Sequence, residues 1–281
     1  MTGKLEGKGA LITGASGGIG DATVREFAAQ GARLVLADRD TAHAEELAAE
    51  LRAAGTEATV VQYDQKKPET VHALVESAAA ALGTIDVLFA NAGYGKYVPF
   101  LESSQDEWDR AMDINVNGLF AITQGVAKHM IANRVRGSIV VTASVCATFV
   151  GNQLAAYCTS KAAVLMLTRC LATELGNYRI RANAVSPGVI ETPMTSGNLA
   201  DARVANMVRR TVPLGRWGSP DEIASVVSFL ASDEAAFVNG QDVTVCGGQS
   251  NPLVPQWHPL DYSVEDQQDW DGPKQVYPFT A

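Results

Sequence analysis

Eight residues near the N-terminus, Thr13-Gly14-Ala15-Ser16-Gly17-Gly18-Ile19-Gly20, constrain this chain more than any other stretch. They join a short apolar run at 9–13 to an amphipathic stretch at 18–30 that stops at Gly31, so the glycines fall between a strand and a helix. Without side chains the backbone can approach an anion closely, and the N–H groups and dipole at a helix start favour a pyrophosphate. The spacing is GxxxGxG rather than the commoner GxGxxG, and glycines alone would equally mark a tight turn with close helix packing. The residues that follow separate the two readings.

Strand character resumes at 33–37 and ends in Asp38. A carboxylate at the end of the second strand can accept both ribose hydroxyls and repels a 2′-phosphate, which favours NAD over NADP. Capping the next helix would be the plainer use of an aspartate, but Asp40 and Thr41 are better placed for it. Arg39 is the opposing feature, because a guanidinium can bind a 2′-phosphate. The glycine loop itself holds no basic residue to reinforce it.

Alternation continues with a helix at 41–54, a strand at 58–63, a helix at 69–82, a strand at 86–90 and one long helix at 105–133. A strand at 138–142, a helix at 154–175 and a strand at 180–185 follow. Residues 194–210 are polar and irregular between two prolines, as suits a mobile loop with short helices over a site. A helix at 221–231 and a strand at 242–245 complete the pattern. Such alternation builds parallel sheet. The expected fold class is α/β, a single doubly wound Rossmann domain over 1–248 with a mainly parallel seven-stranded sheet and helices on both faces.

Composition narrows the function. The net charge of -9, from 22 basic and 31 acidic residues, would repel nucleic acid and an anionic membrane surface, so neither is an expected partner. Cys146, Cys158, Cys170 and Cys246 show no CxxC spacing and the four histidines are scattered, so no metal site is expected. No apolar run approaches the roughly 18 residues of a membrane span, and no secretory h-region precedes the first strand. A cytoplasmic location is the expectation.

Tyr157 and Lys161 lie four apart, so on a helix both emerge on one face, where an ammonium favours phenolate. A tyrosine so lowered from about 10 can exchange a proton with an alcohol. By itself a YxxxK pair is weak, since helix surfaces pair Tyr and Lys by chance.

Further motifs appear in order: Asp64 and Gln65 after the third strand, Asn91-Ala92-Gly93 after the fourth, and Asn115 within Asn115-Val116-Asn117-Gly118. Ser144 follows the fifth strand, and Pro187-Gly188 with Thr192 follows the sixth. Each has a plain structural use as a turn, cap or kink. All nevertheless fall at carboxyl ends of strands or on the helix facing them, where open α/β sheets bind ligands. Over Lys4 to Gly248 the chain resembles the classical short-chain dehydrogenases/reductases.

The resemblance implies that Tyr157 is the general acid or base, Ser144 hydrogen-bonds the substrate oxygen, Lys161 holds the nicotinamide ribose and lowers the Tyr157 pKa, and Asn115 positions a water in a proton relay. It implies cofactor contacts from Gly14, Ser16, Gly17, Gly18, Ile19 and Gly20, from Asp38, Arg39, Asp64 and Gln65, and from Asn91, Ala92 and Gly93. Pro187, Gly188, Val189, Ile190 and Thr192 complete that set. Substrate contacts would come from Ser144, Cys146, Asn152, Gln153, Tyr157 and Met194, with Tyr94, Thr148, Leu199 and Met207 on the rim. This mixture suits a polyol, sugar or small cyclic alcohol. A 3-oxoacyl reductase, or a non-catalytic nucleotide sensor on the same fold, are the alternatives. Extended epimerases carry TGxxGxxG and a larger C-terminal domain, and enoyl reductases space their Tyr and Lys more widely.

Family members form tetramers and stop soon after the Gly247-Gly248 position, whereas here 33 residues follow, 249–281, with Trp257, Tyr262, Trp270, Tyr277 and Phe279 among prolines and acids. Such a tail has too little apolar surface to fold alone but carries aromatic anchors, so it is expected to pack at a subunit interface of a homotetramer.

Overall fold

The first strand, β1 (Gly9–Thr13), is buried at all five residues, as a continuous apolar run requires when both faces of a parallel sheet are covered. The computed structural model describes residues 3–251. After β1 come α1 (Gly18–Ala29), β2 (Arg33–Asp38), α2 (Thr41–Ala53), β3 (Ala58–Gln62), α3 (Val71–Leu82) and β4 (Val87–Ala90). Then follow α4 (Gln105–Met112), α5 (Leu119–Ala132), β5 (Ser138–Thr142), α6 (Ala155–Leu175) and β6 (Arg181–Pro187). The chain continues through α7 (Ser196–Leu199), α8 (Ala202–Thr211), α9 (Pro220–Ala231) and β7 (Asp242–Val245).

The strands form one seven-stranded sheet in the order β3-β2-β1-β4-β5-β6-β7, with every pairing parallel. One core lies between the sheet and α3, α5 and α6, around Leu74, Val126 and Val164. The other lies under α1, α2 and α9, around Phe27, Leu47 and Ile223. The fold is thus the doubly wound α/β arrangement expected. Strand order reverses between β1 and β4, which opens a crevice at their carboxyl ends. Asp40 caps α2, accepting from the Ala42 N–H at 3.1 Å, a contact worth about 1 kcal/mol. That leaves Asp38 for another use.

One expectation changes. The single helix at 105–133 is interrupted by a π-helical segment, Asp113–Gly118, because Asn115 turns inward and bonds to a neighbouring loop. The stretch at 194–210 carries short helices, as expected: α7, and the ten-residue α8 capped by Asp201 with Ala205 and Val208 buried. Among the described residues no helix is long and apolar enough to cross a membrane, and no group of three or more His, Cys, Asp or Glu could hold a metal ion. The tail expected at a subunit interface lies outside the described residues except for Gln249, Ser250 and Asn251.

Candidate active site

The crevice between β1 and β4 is a cleft of about 540 Å³, and the glycine loop forms one wall of it. Its glycines do different things. Gly14 has φ +67°, and a Cβ there would lie 2.8 Å from Ala92 Cα. A Cβ on Gly18 would lie 2.7 Å from Thr192 Cγ2, and one on Gly20 would collide with the Gly14 carbonyl. These three let the loop, β4 and the segment after β6 close up. Gly17 differs: a Cβ would meet only the Gly14 oxygen at 3.9 Å, so its surface opens on the cleft. It is also the N-cap of α1 and supplies no side-chain cap, leaving the first-turn N–H groups for another acceptor.

Asp38 sits across the loop at the end of β2, where one carboxylate oxygen accepts from the Ser16 N–H at 2.9 Å and the other from the Asp40 N–H at 3.1 Å. Ser16, Gly17, Gly18 and Ile19 line the cleft, as do Asp38, Arg39, Asp64 and Gln65. Asn91, Ala92 and Gly93 do so after β4, and Pro187, Gly188, Ile190 and Thr192 after β6. Gly20 and Val189 do not: Gly20 is buried against Gly14, and the Val189 carbonyl accepts from the Gly218 N–H at 2.9 Å.

Gln65 and Asn91 hold the floor together. The Gln65 amide donates to the Ala92 and Ile114 carbonyls at 3.0 and 2.8 Å, and its buried Oε1 has no hydrogen-bond partner. Asn91 donates to the Gly14 carbonyl at 3.0 Å and accepts from Thr142 Oγ1 at 3.0 Å. An open glycine, uncapped helix N–H groups, a strand-end carboxylate and an orphaned amide oxygen together fit a dinucleotide with a polar base.

Ser144, Tyr157 and Lys161, the residues expected to handle the proton, converge on the same cleft. Ser144 is buried after β5, its Oγ accepting from the Cys146 N–H at 3.1 Å. Tyr157 and Lys161 project from one face of α6, and both line the cleft with Ser144. Lys161 is buried and donates to the Thr142 carbonyl at 2.7 Å, with its Nζ 5.7 Å from the Tyr157 ring centroid.

Burial pushes the Tyr157 phenol up to about 12; the Ser144 hydroxyl acts in the opposite direction, and the Cys146 and Cys158 thiols and Tyr97 add to the rise. Burial likewise pulls the Lys161 ammonium down to about 8. This corrects the expectation of a lowered tyrosine. Loss of hydration is the largest influence on the ring, and the ammonium, itself buried and bonded to a carbonyl, is not among the groups that move it.

A family model described as enoyl-(acyl carrier protein) reductase matches residues 14–250. The chain is a classical short-chain dehydrogenase/reductase. Among its relatives, the 3-oxoacyl-[acyl-carrier-protein] reductase FabG of Thermotoga maritima is 38% identical over 245 residues, 87% of this chain and 98% of that protein. D-Threitol dehydrogenase of Mycolicibacterium smegmatis is 38% identical over 87% of this chain and 94% of its own length. The crystal structure of a gluconate 5-dehydrogenase from Burkholderia cenocepacia in complex with NADP and tartrate superposes with a TM-score of 0.85 at 36% identity, covering 89% of this chain and 97% of that one.

In this short-chain dehydrogenase/reductase, the Asn115 side chain is fully engaged. It accepts from the Tyr94 N–H at 2.7 Å and donates to the Tyr94 carbonyl and Ser160 Oγ, each at 2.8 Å. Ser160 in turn donates to the Tyr157 carbonyl at 2.8 Å. Asn115 therefore ties the loop after β4 to the helix carrying Tyr157, and a relay water would have to use its backbone instead.

Of the expected substrate contacts, Gln153, at φ +62°, lines a narrow second pocket with Tyr94, Gly95 and Tyr157. Cys146 is half-buried and Asn152 is exposed, while Met194 lines the main cleft. Tyr94 lines both cavities. Thr148 and Met207 are exposed, and Leu199 is half-buried on α7. Reading the sequence did not single out Gly95 or Ser160. A Cβ on Gly95 would lie 2.9 Å from Tyr157 Cδ2, a contact with no local sequence signal, whereas Ser160 could have been found as the i+3 neighbour of Tyr157.

Proposed function

We propose that this enzyme interconverts a secondary alcohol, in the class of polyols, sugars and small cyclic alcohols, with its ketone, using NAD(H). The observation that carries the chemistry is the convergence of Ser144, Tyr157 and Lys161 on one cleft that also holds the open glycine loop. When bound, the nicotinamide supplies or accepts hydride. The protein's task is to orient the reactants and to handle the proton and the charge developing on oxygen.

Gly17, Gly18 and Ile19 would receive the pyrophosphate, Asp38 the adenosine ribose, and Lys161 the nicotinamide ribose. Ser144 would donate to the substrate oxygen while Tyr157 exchanges the proton. Because the phenol is held near 12, it is protonated at neutral pH and equipped to donate to a carbonyl oxygen. Alcohol oxidation needs the phenolate and therefore gains from alkali. Asp38 supports NAD over NADP through its charge at the strand end, with Arg39 beside it as the competing group. A cytoplasmic homotetramer accompanies this reading, and light scattering tests the assembly.

Absorbance of reduced nicotinamide, followed with NAD or NADP against polyols, cyclic alcohols and 3-hydroxyacyl thioesters, tests the proposal. Turnover with NAD and a polyol or cyclic alcohol is expected. Preferential turnover of the thioester would replace it by a 3-oxoacyl reductase, the activity in the name of the Thermotoga relative. Dinucleotide binding without turnover of any substrate would point to a sensor.

A further inference from the structure

Arg110 lies on α4 one turn before Ile114, and both residues line the main cleft. Its guanidinium sits over the Tyr94 ring, 4.4 Å from the centroid. That ring is a rigid platform. The Tyr94 backbone is held on both sides by the Asn115 amide, and its hydroxyl donates to Glu107 Oε1 at 2.5 Å. The other Glu107 oxygen accepts from Lys96 Nζ at 3.3 Å. The Tyr94 hydroxyl above all, then Lys96 and, least, Arg110 through space lower the Glu107 carboxyl, and both of that group's oxygens are already engaged by Tyr94 and Lys96. Among the described residues, no hydrogen bond or ion pair ends on the Arg110 guanidinium.

We propose that Arg110 is an anion-binding side chain of the cleft, taking a carboxylate or phosphate carried by the ligand that occupies it. A guanidinium offers five N–H donors in a planar fork matched to such groups, and stacking on a fixed ring orients that plane before the ligand arrives. Less side-chain freedom is then lost on binding than for an arginine waving in solvent. The chain carries a net charge of -9, so a local cation whose N–H groups are not spent on a hydrogen bond also offsets the repulsion an acidic ligand would otherwise meet. Two sources share this chemistry, the phosphates of the dinucleotide and an acid group on the substrate. The second source rests on the dehydrogenase reading given above.

The test compares the full-length wild type with R110A and R110K. Fluorescence quenching gives Kd for NADH and NADPH. Calorimetry in the presence of NADH gives Kd for an aldonate and for its neutral alditol. R110A is expected to weaken an anionic ligand by about tenfold or more, with R110K intermediate and the alditol unaffected. Weaker dinucleotide binding assigns the anion to a phosphate, and selective loss of the aldonate assigns it to a substrate carboxylate. Unchanged affinities throughout, or equal loss for aldonate and alditol with the dinucleotides unaffected, would overturn the proposal. Every arm reads binding alone, so absent turnover would sink the dehydrogenase reading while leaving the role of Arg110 to be decided by the affinities.

Discussion

The ammonium of Lys161 lies 5.7 Å from the centroid of the Tyr157 ring, so the two groups share a site. One of its three N–H groups donates to the Thr142 carbonyl at 2.7 Å. Both groups are pushed by burial toward their neutral forms, the lysine down to about 8 and the tyrosine up to about 12. The consequences can be measured separately.

Lys161→Met should stabilise the protein at pH 7 while destroying its activity. Below about pH 8 the folded chain bears the cost of a buried ammonium; between there and 10.5 the unfolded chain binds the extra proton, so stability rises with pH as that cost is relieved. The gain should be on the order of 2 kcal/mol, since a tenfold difference in proton affinity between folded and unfolded chain is worth about 1.4 kcal/mol and the lost bond to Thr142 offsets part of the total. Urea unfolding at pH 7 and pH 10 checks this: the advantage of the variant should shrink at the higher pH.

Alcohol oxidation should rise with pH by about tenfold per unit between pH 7 and 9, because the required phenolate is a small fraction of a group held near 12. Ketone reduction should stay flat over the same window. A kcat/KM profile for oxidation that levels off below pH 8 would mean the phenol is lowered after all.

Tyr157→Phe keeps the ring and removes only the transferable proton. Turnover should fall by about 10³-fold or more, with dinucleotide Kd within about twofold of wild type. Stopped-flow fluorescence and steady-state rates on the same preparation separate the two effects.

Gly95→Ala places a Cβ 2.9 Å from Tyr157 Cδ2 and 3.1 Å from Cε2, so the Tyr157 ring, the proposed proton donor, must shift. A displacement of this kind should lower kcat by about 10- to 100-fold and leave dinucleotide affinity unchanged, because Gly95 lies outside the glycine loop and the main cleft lining. Unaltered kcat would show that Tyr157 tolerates the movement.

Asp38→Ala removes a carboxylate whose two oxygens hold the Ser16 and Asp40 N–H groups. The ratio of kcat/KM for NAD over NADP should drop by about tenfold or more as repulsion of the 2′-phosphate is lost. A wild-type preference for NADP would show that Arg39 dominates instead.

Much of the fold was legible before any coordinates. Short apolar runs such as 34–37, bounded by turn residues and alternating with amphipathic helical stretches, fit strands covered on both faces, and the short spacing between strand and helix leaves parallel sheet as the economical solution. Tyr157 and Lys161 share a face of α6 because helical geometry places residues i and i+4 together. That the glycine loop, Asp38 and the strand-end residues line one cleft was legible for the same reason: their places follow from local pattern and from where open sheets leave a crevice.

Tertiary structure decided what depends on partners distant in sequence. The apolar pattern of 105–133 is helical throughout, and only the approach of the loop at Tyr94 opens the π-helical segment at Asn115. The direction in which the Tyr157 pKa moves reversed because burial depends on everything packed around the ring, which spacing along one helix does not reveal. Gly95 against Tyr157, and Arg110 stacked on a Tyr94 already held by Glu107, are likewise products of chain segments meeting. Local periodicity sets which elements form and which side chains share a face. The dielectric, the free donors and the clearances of the site arise only where those elements come together.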